Sequence, residues 1–346
     1  MTNPDRNGPA LHGWLVIDKL VGPGSTDVVS AVKRALRAGG YAKVKVGHGG
    51  TLDPLASGVL PIALGEATKL SGRMLDADKA YAFTIGFGEQ TDTLDLEGAV
   101  IASSDVRPTA AALEAVLAQF TGPIEQVPPI YSALKVDGRR AYDLARAGEE
   151  VVLASRNVTI HSLSVIPTEV GTHGYGTATS DAPPSMGPGF RRDDERAGLQ
   201  DETSKVNDGM EELDHATLLA SVSKGTYIRS LARDIAVALG TVGHVTMLRR
   251  TKAGPFTLQP AISLDSLADL GQGRALEQAL LPLTAGLDDI PALPVTPDQA
   301  GALRQGRPVI GIAATPGPYL ATDKSVPVAL VSSDGHGVKV VRGFNL

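Results

Sequence analysis

The chain has 346 residues, enough for two domains of ordinary size, and it contains no cysteine, which excludes disulfide frameworks and thiolate metal sites. Its formal net charge is −6, yet residues 167–217 carry eleven acidic and four basic side chains, so the rest of the chain has a net charge of +1. No apolar run approaches the roughly 20 residues of a membrane span, and the first residues contain no apolar core of the kind found in signal peptides. We therefore expect a soluble, cytoplasmic protein without a membrane partner.

The hydrophobic pattern predicts strands interleaved with helices. Val28, Val29, Val32 and Leu36 share one helical face, with Ser25 as the candidate N-cap. The first predicted elements, in chain order, are a strand over 14–17, a helix from Ser25, a strand over 59–64, a helix over 66–76 and a strand over 81–88. A further helix has Pro108 in its first turn and ends at Gly122. The last predicted helix ends at Gly240 and carries the apolar residues Ile228, Leu231, Ile235 and Leu239.

The order of these elements lacks a regular strand–helix–strand period, which favours an α+β fold with a mixed sheet. Residues 1–11 predict a flexible terminus. Residues 167–210 have no apolar period and predict a disordered surface insertion, with the sheet resuming near Ala216. From about residue 292, short β-like runs over 309–312, 326–332 and 338–342 predict a small β-rich region.

The stretch around Asp53 is the most informative part of the sequence. Gly47, Gly49 and Gly50 permit backbone conformations that other residues resist. Pro54 pushes the residue before it toward extended geometry. Asp53, the isolated carboxylate between these residues, is therefore held in position by its chain neighbours. Such a fixed position is typical of a nucleophile.

This loop resembles the catalytic loop of the TruB family of bacterial tRNA pseudouridine synthases. Blocks of the family's sequence also match at 22–27, 65–70, 79–81, 91–98, 124–135, 223–229 and 244–250. The resemblance implies a pseudouridine synthase catalytic domain over 12–260, with a central mixed, largely antiparallel sheet flanked by helices and a mobile thumb at 124–150. It also implies a helical connection over 261–291 and a small RNA-binding domain over 292–346, which is β-barrel-like and related to the PUA type.

The function that the resemblance implies is isomerisation of uridine 55 in the T-loop of tRNA. The enzyme would flip the base out of the RNA and exchange the C1′–N1 glycosidic bond for a C1′–C5 bond, without a cofactor or metal. The T-arm stem-loop would be the partner of a monomeric protein. The order of the chemical steps, including whether Asp53 attacks the ribose or the base first, stays open.

The resemblance also implies roles for single residues. Asp53 would be the nucleophile, Arg229 would hold its carboxylate with two bonds, and Tyr81 would stack on the base and accept the proton from C5. Tyr227 and Leu248 would line the pocket, while His48 would stack into the T-loop in place of the flipped base. Cations expected to bind RNA, about half of which should prove to be ordinary surface charges, are Lys19, Lys69, Lys135, Arg139, Arg140, Arg146, Arg249 and Arg250.

Three other motifs are suggested by the sequence, but each is incomplete. Residues 224–226 have the wrong order for a P-loop, and 56–58 lack the first glycine of a nucleophile elbow. Asp92 and Asp95 suggest a Mg²⁺ pair, but no third ligand is near. Two alternatives remain on the same scaffold: a protein that binds or folds tRNA without modifying it, and a synthase that depends on a guide RNA.

Overall fold

The computed structural model describes residues 8–132, 134–136, 138–167 and 212–346. Nearly all of the predicted insertion, and residues 1–7 of the predicted flexible terminus, lie outside these ranges. The strands are β1 (Gly13–Lys19), β2 (Val46–His48), β3 (Ala56–Leu64), β4 (Lys79–Phe87), β5 (Glu89–Thr91), β6 (Val100–Ser103), β7 (Gly122–Gln126), β8 (Lys135–Val136), β9 (Arg139–Arg140), β10 (Arg156–Val165), β11 (His215–Val222), β12 (Gly243–Ala253), β13 (Phe256–Thr257), β14 (Ala292–Pro294), β15 (Val309–Ile310), β16 (Gly317–Asp323), β17 (Val326–Ser333) and β18 (Gly337–Gly343).

Helices cover the faces of this strand framework. The α-helices are α1 (Ser25–Ala38), α2 (Ser71–Asp76), α3 (Ala110–Leu117), α4 (Ala141–Arg146), α5 (Ile228–Ala238), α6 (Leu264–Gln272) and α7 (Pro297–Arg304). Short 3₁₀ helices span Gly65–Leu70, Ala118–Phe120, Leu276–Ala279 and Leu283–Gly286.

The central sheet has the strand order β1-β3-β12-β4-β11-β10-β7, with β2 paired to β3 and β13 paired to β12. Only the β3–β12 pairing is parallel among the described strands of this sheet. The prediction of a mixed, largely antiparallel sheet is therefore confirmed. β11 begins at His215, so the sheet does resume near Ala216, as expected.

The topology around β3 sets the position of the functional loop. β2 pairs with the last residues of β3, at Ile62–Leu64, whereas β12 pairs in parallel with its first residues, at Ala56–Gly58. The chain between β2 and β3 therefore turns beside the β3–β12 junction. Asp53 lies in this turn.

Apolar side chains from both faces of the sheet form the core. On one face, Leu15 and Ile17 of β1 pack with Val28 and Val32 of α1. On a second region of the sheet, residues of β4 and β11 pack against α3 and α5. Each fully buried aliphatic side chain contributes about 1.5–3 kcal/mol, so these clusters fix the strands that carry the site.

The C-terminal residues form a second sheet, of order β14-β16-β17-β18-β15, packed with α7. Leu320 and Phe344 from this region join the buried cluster around Trp14 and Val16 of β1. Lys69 Nζ also donates to the Gly343 carbonyl at 2.9 Å. The small β-rich region is thus attached to the back of β1.

Several local expectations were wrong by a residue or a helix type. Gly24, not Ser25, is the N-cap of α1, because the Asp27 carboxylate accepts from the Gly24 N–H at 2.9 Å. Thr109 caps α3 through its hydroxyl, so Pro108 precedes the helix. The helix predicted over 66–76 divides into a 3₁₀ segment and α2 at Ser71.

No helix among the described residues is long and apolar enough to cross a membrane.

Candidate active site

The loop that carries Asp53 is fastened first by Ser25. The Ser25 hydroxyl donates to the Leu52 carbonyl at 2.9 Å and accepts from the Leu52 N–H at 2.8 Å. Leu52 itself is buried in the core beneath α1. Both polar groups of the residue before Asp53 are therefore satisfied by one buried side chain, and the sequence of the loop alone gave no sign of this contact.

Arg250 fastens the same loop from the opposite side. Its guanidinium is 1% exposed and donates to three carbonyls, those of Val59 at 2.8 Å, Thr51 at 3.1 Å and Gly50 at 3.4 Å. The expectation that Arg250 binds RNA is wrong, because a side chain buried to this degree and committed to carbonyls cannot reach a phosphate. Arg250 instead positions the loop.

Lys19 is the third buried group at the loop. It is 0% exposed, and its ammonium donates to the carbonyls of Leu20 at 3.0 Å, Pro23 at 2.9 Å and Pro54 at 3.2 Å. Burial lowers the pKa of Lys19 to about 8, while the nearby Asp53 carboxylate opposes the shift and Arg250 adds to it. The expected RNA contact of Lys19 is also wrong, since the side chain ties β1 to the loop.

Two glycines allow this close packing. Gly50 has φ of 132°, a conformation that side chains rarely adopt. At Gly58, φ is 103° and an added Cβ would lie 2.1 Å from the Arg250 carbonyl oxygen. Gly50 thus has the backbone freedom that the sequence predicted for it. Gly58, which the sequence analysis did not single out, allows β12 to approach β3 closely.

Asp53 forms an ion pair with Arg229, as the sequence predicted. Arg229 Nη2 lies 3.1 Å from Asp53 Oδ2, and the Asp53 side chain is 47% exposed whereas that of Arg229 is 9% exposed. One face of the carboxylate is therefore anchored, while the other remains open to a substrate.

Arg229 makes one hydrogen bond to Asp53, not the two that were predicted. Arg229 Nη1 donates at 2.9 Å to Asp95 Oδ2 and at 2.9 Å to the Thr93 carbonyl, so the guanidinium bridges two carboxylates with one bond to each. Asp95 is itself buried, and its other oxygen accepts from the Thr93 hydroxyl at 2.5 Å and the Glu97 N–H at 3.1 Å. Asp95 is thus a second acidic partner that holds Arg229 in place.

Tyr131 connects this network to the base of the thumb. Its carbonyl accepts from Arg229 Nη2 at 3.1 Å, and its hydroxyl donates to Asp92 Oδ2 at 3.2 Å. Burial and the Asp92 carboxylate raise the pKa of Tyr131, so the hydroxyl keeps its proton near neutral pH. From the sequence, Asp92 and Asp95 were candidates only for a metal pair; the matching block 91–98 contains both residues but does not reveal these contacts.

A cleft of about 130 Å³ opens over the ion pair. Its lining residues are Val21, Asp53, Leu55, Ala56, Ser57, Asp95, Leu96, Arg229, Val245, Thr246, Met247 and Leu248. Two carboxylates and a guanidinium therefore face a mainly aliphatic wall. Leu248, predicted to be a pocket wall, is among these residues.

The two predicted pocket tyrosines are not among the residues that line this cleft. Tyr81 is half-buried on β4, opposite Arg250 of β12, and packs against two core clusters. Tyr227 precedes α5, where its N–H donates to Gln126 Oε1 at 2.8 Å and its ring lies 5.3 Å from the Arg156 guanidinium. Their predicted roles against the substrate base stay predictions.

His48 also lies away from the ion-pair cleft. It is half-buried at the end of β2 and lines a second cleft with residues of α1. Burial, with the charge of Arg250, lowers the pKa of His48, which favours the neutral imidazole. A neutral ring is suited to the predicted stacking role.

The remaining predicted RNA-binding cations fall into two groups. Lys69 pairs with Glu66 at 2.6 Å, and Arg249 makes two bonds to Asp18, at 2.7 and 3.0 Å. Both are thereby committed to carboxylates within the fold. Those with exposed side chains on the thumb hairpin or α4 are Lys135, Arg139, Arg140 and Arg146.

No group of three or more His, Asp or Glu residues that could hold a metal occurs in the part of the chain that the structure describes. The site offers a carboxylate, a guanidinium and apolar walls. These groups suit nucleophilic chemistry on an organic substrate.

Comparisons with known proteins agree with the geometry. The model of the TruB family pseudouridylate synthase N-terminal domain matches residues 33–177, and that of the tRNA pseudouridylate synthase B C-terminal domain matches 229–288. The tRNA pseudouridine synthase B of Novosphingobium aromaticivorans is 57% identical, over 97% of this chain and 98% of the relative. That of Zymomonas mobilis is 53% identical, over 97% of each.

Solved structures share the fold at lower sequence identity. A Cbf5–Nop10–Gar1 complex contains a chain with a TM-score of 0.65 and 24% identity, covering 100% of this chain and 91% of that one. An H/ACA RNP bound to a substrate RNA containing 2′-deoxyuridine gives a TM-score of 0.64 at 23% identity, covering 100% and 92%. From the two family models and the near full-length relatives, we conclude that the chain belongs to the TruB family of pseudouridylate synthases.

Proposed function

We propose that Asp53 is the nucleophile with which this TruB-family enzyme isomerises uridine 55 in the T-loop of tRNA to pseudouridine. In this reaction the C1′–N1 bond breaks and a C1′–C5 bond forms. The proton lost from C5 is balanced by one gained at N1, so the product has the same composition as the substrate. A carboxylate that forms and later releases a covalent bond meets this need without a redox group.

The ion pair between Asp53 and Arg229 is the observation that carries the proposal. Arg229 is buried and has four acceptors, so its position does not depend on Asp53 alone. The Asp53 carboxylate is anchored through one oxygen and half exposed to the cleft. A fixed anion at the edge of an apolar cleft is pre-organised for attack on a base or ribose that enters it.

The other site residues act on the flipped nucleotide. Leu248, with Met247 and Leu96, gives the cleft an aliphatic wall against which a uracil ring can pack. Neither Tyr81 nor Tyr227 lines the cleft in the free protein, so both would have to move when RNA binds. Tyr81 would then remove the proton from C5, and Tyr227 would close the pocket. His48 would fill the space that the flipped base leaves in the T-loop.

The T-arm would be gripped by the thumb. Lys135, Arg139 and Arg140 lie on a small exposed hairpin of β8 and β9, directly after the segment that contacts Arg229. Closure of this hairpin on the RNA would bring phosphate contacts and the reactive centre together. The enzyme would act as a monomer, and in the cytoplasm, where its tRNA substrate is made.

The test is to incubate the purified chain alone with unmodified tRNA transcript. Because the two nucleosides have equal mass, they are separated chromatographically before mass spectrometry, and the position is mapped by carbodiimide-stop primer extension. We expect one pseudouridine at position 55, and none in a transcript with cytidine there. Binding without conversion would indicate a tRNA-binding or folding protein, and conversion only with an added RNA would indicate guide dependence.

A further inference from the structure

A long segment beside the active site is almost free of acid. Between Val28 and Gly65, Asp53 is the only acidic residue, whereas five cations occur: Lys33, Arg34, Arg37, Lys43 and Lys45. Within the described residues, none of these five forms an ion pair with a carboxylate. Local charge of one sign without internal partners is typical of a surface that meets a polyanion.

Two of these cations, Lys33 and Lys45, line a cleft of about 480 Å³ between α1, β2 and the 3₁₀ segment that follows β3. The remaining lining residues are Thr26, Val29, Ser30, Val46, Gly47, His48, Thr68 and Ser71. The cleft therefore presents two ammonium groups and four hydroxyls but no carboxylate. All of these polar side chains can donate hydrogen bonds to anionic oxygens.

The carboxylates that flank this segment along the chain are already engaged. Asp27 accepts from the Gly24 N–H at 2.9 Å, as the cap of α1. Glu66 pairs with Lys69 at 2.6 Å and also accepts from the Asn345 N–H at 2.8 Å. Neither carboxylate is paired with Lys33 or Lys45, which leaves both ammonium groups available to a ligand.

His48 connects the cleft to the catalytic loop. It lines the cleft and precedes Asp53 by five positions, and its Nδ1 is buried without a hydrogen-bond partner. An unpartnered buried nitrogen is costly unless a ligand supplies the missing partner. A ligand in this cleft would therefore lie next to the loop that holds the nucleophile.

We infer that this cleft binds the phosphodiester backbone of the tRNA segment adjacent to the target uridine. Lys33 and Lys45 would contact phosphates and the hydroxyls would contact ribose, while His48 would keep the stacking role proposed for it above. The volume is several times that of one phosphate, and the donors come from three separate elements, so an extended chain fits better than a single small anion. This inference rests on the proposed function, but it concerns different residues from the thumb.

The test compares two double variants of the full chain that remove the same charge. Lys33→Gln/Lys45→Gln removes the cations that line the cleft, and Arg34→Gln/Lys43→Gln removes neighbours that do not. The dissociation constant for tRNA is measured by filter binding across a salt series. We expect the cleft variant to bind about tenfold more weakly, with the slope against log salt reduced by about 1.5, and the matched control to change less than about twofold.

Lys33→Arg/Lys45→Arg should retain near wild-type affinity, because it keeps both charges. Equal weakening by the cleft variant and its matched control, or no weakening by either, would overturn the inference. The outcome is independent of the activity assay: if wild type binds tRNA but makes no pseudouridine, the proposed function fails while the affinity comparison still decides this site.

Discussion

Lysine and arginine side chains have different environments in two regions of the molecule. Around Asp53, cations are buried and each donates to several protein carbonyls or carboxylates; these are Lys19, Arg229 and Arg250. On the thumb hairpin, cations are exposed; these are Lys135, Arg139 and Arg140. Burial therefore decides whether a cation shapes the loop that carries Asp53 or remains available to a ligand.

The energetics of the two regions differ accordingly. The exposed pair of Arg139 and Glu149, at 2.8 Å, contributes about 0–1 kcal/mol, so breaking it costs the fold little. Removing one partner from a buried ion pair such as Arg229–Asp95 costs about 3–5 kcal/mol, since the other charge stays buried. The cations near Asp53 are therefore held in place by the fold, whereas those on the thumb hairpin are bound only weakly to other protein groups.

The largest effect that would test this comparison is expected for Arg229→Lys. The change keeps the positive charge, but one ammonium cannot span Asp53, Asp95 and the Tyr131 carbonyl as the guanidinium does. We expect the single-turnover rate at saturating tRNA to fall by about 100- to 1000-fold, with the dissociation constant for tRNA within about twofold of wild type.

The matched control is Arg233→Lys, one turn along α5, where the side chain pairs with Asp234 instead. It should leave the rate nearly unchanged. A wild-type rate in Arg229→Lys would mean that the bridge between the two carboxylates is dispensable.

Ser25→Ala is expected to act through stability. The substitution leaves the buried N–H and carbonyl of Leu52 without their partner, which should lower the free energy of unfolding by about 1–3 kcal/mol. Urea denaturation followed by circular dichroism measures this. Ser30→Ala, on the exposed face of the same helix, should change it by less than about 0.5 kcal/mol; equal effects would show that Ser25 does not hold the loop.

The sequence predicted the parts of this comparison that depend on local pattern or on the family resemblance. The apolar stripes of α1 and α5 lie in the core, the sheet is mixed and largely antiparallel, and Arg229 does pair with Asp53. Each of these follows from periodicity along the chain or from a matched motif.

The sequence could not predict which cations are buried. Lys19 and Arg250 look like surface charges along the chain, and only the parallel approach of β12 to β3 places Arg250 against carbonyls some 190–200 positions away. Ser25 was assigned to a helix cap because serine is common there, whereas a tertiary contact uses its hydroxyl. Such long-range contacts have no local pattern.

The double variant Arg139→Gln/Arg140→Gln tests whether the exposed cations of the thumb hairpin bind tRNA. These side chains make no buried contact in the described structure, so the substitutions should leave the fold unaffected and should weaken only the binding of tRNA. We expect tRNA affinity about three- to tenfold lower, with a shallower salt dependence. Arg139→Lys/Arg140→Lys should restore affinity; failure to do so would point to a specific geometry rather than charge.

The smallest effect is expected on deleting residues 170–208. The segment contains seven acidic and four basic residues, so its removal makes the chain three units more positive. β10 and β11 are antiparallel partners, and the residues kept on either side of the deletion can join them by a short connection. We expect tRNA binding equal to wild type or up to about twofold tighter, with the difference shrinking as salt rises. A salt-independent collapse of turnover would make the segment part of the catalytic domain.

The central claim, that Asp53 is a nucleophile held in place independently of RNA binding, is tested most directly by Asp53→Asn. The amide has nearly the same shape but cannot act as an anionic nucleophile. We predict tRNA affinity within about twofold of wild type and no detectable pseudouridine in a single-turnover assay. Turnover within about tenfold of wild type, equivalent to a barrier change of only about 1.4 kcal/mol, would contradict the assignment of Asp53 as nucleophile.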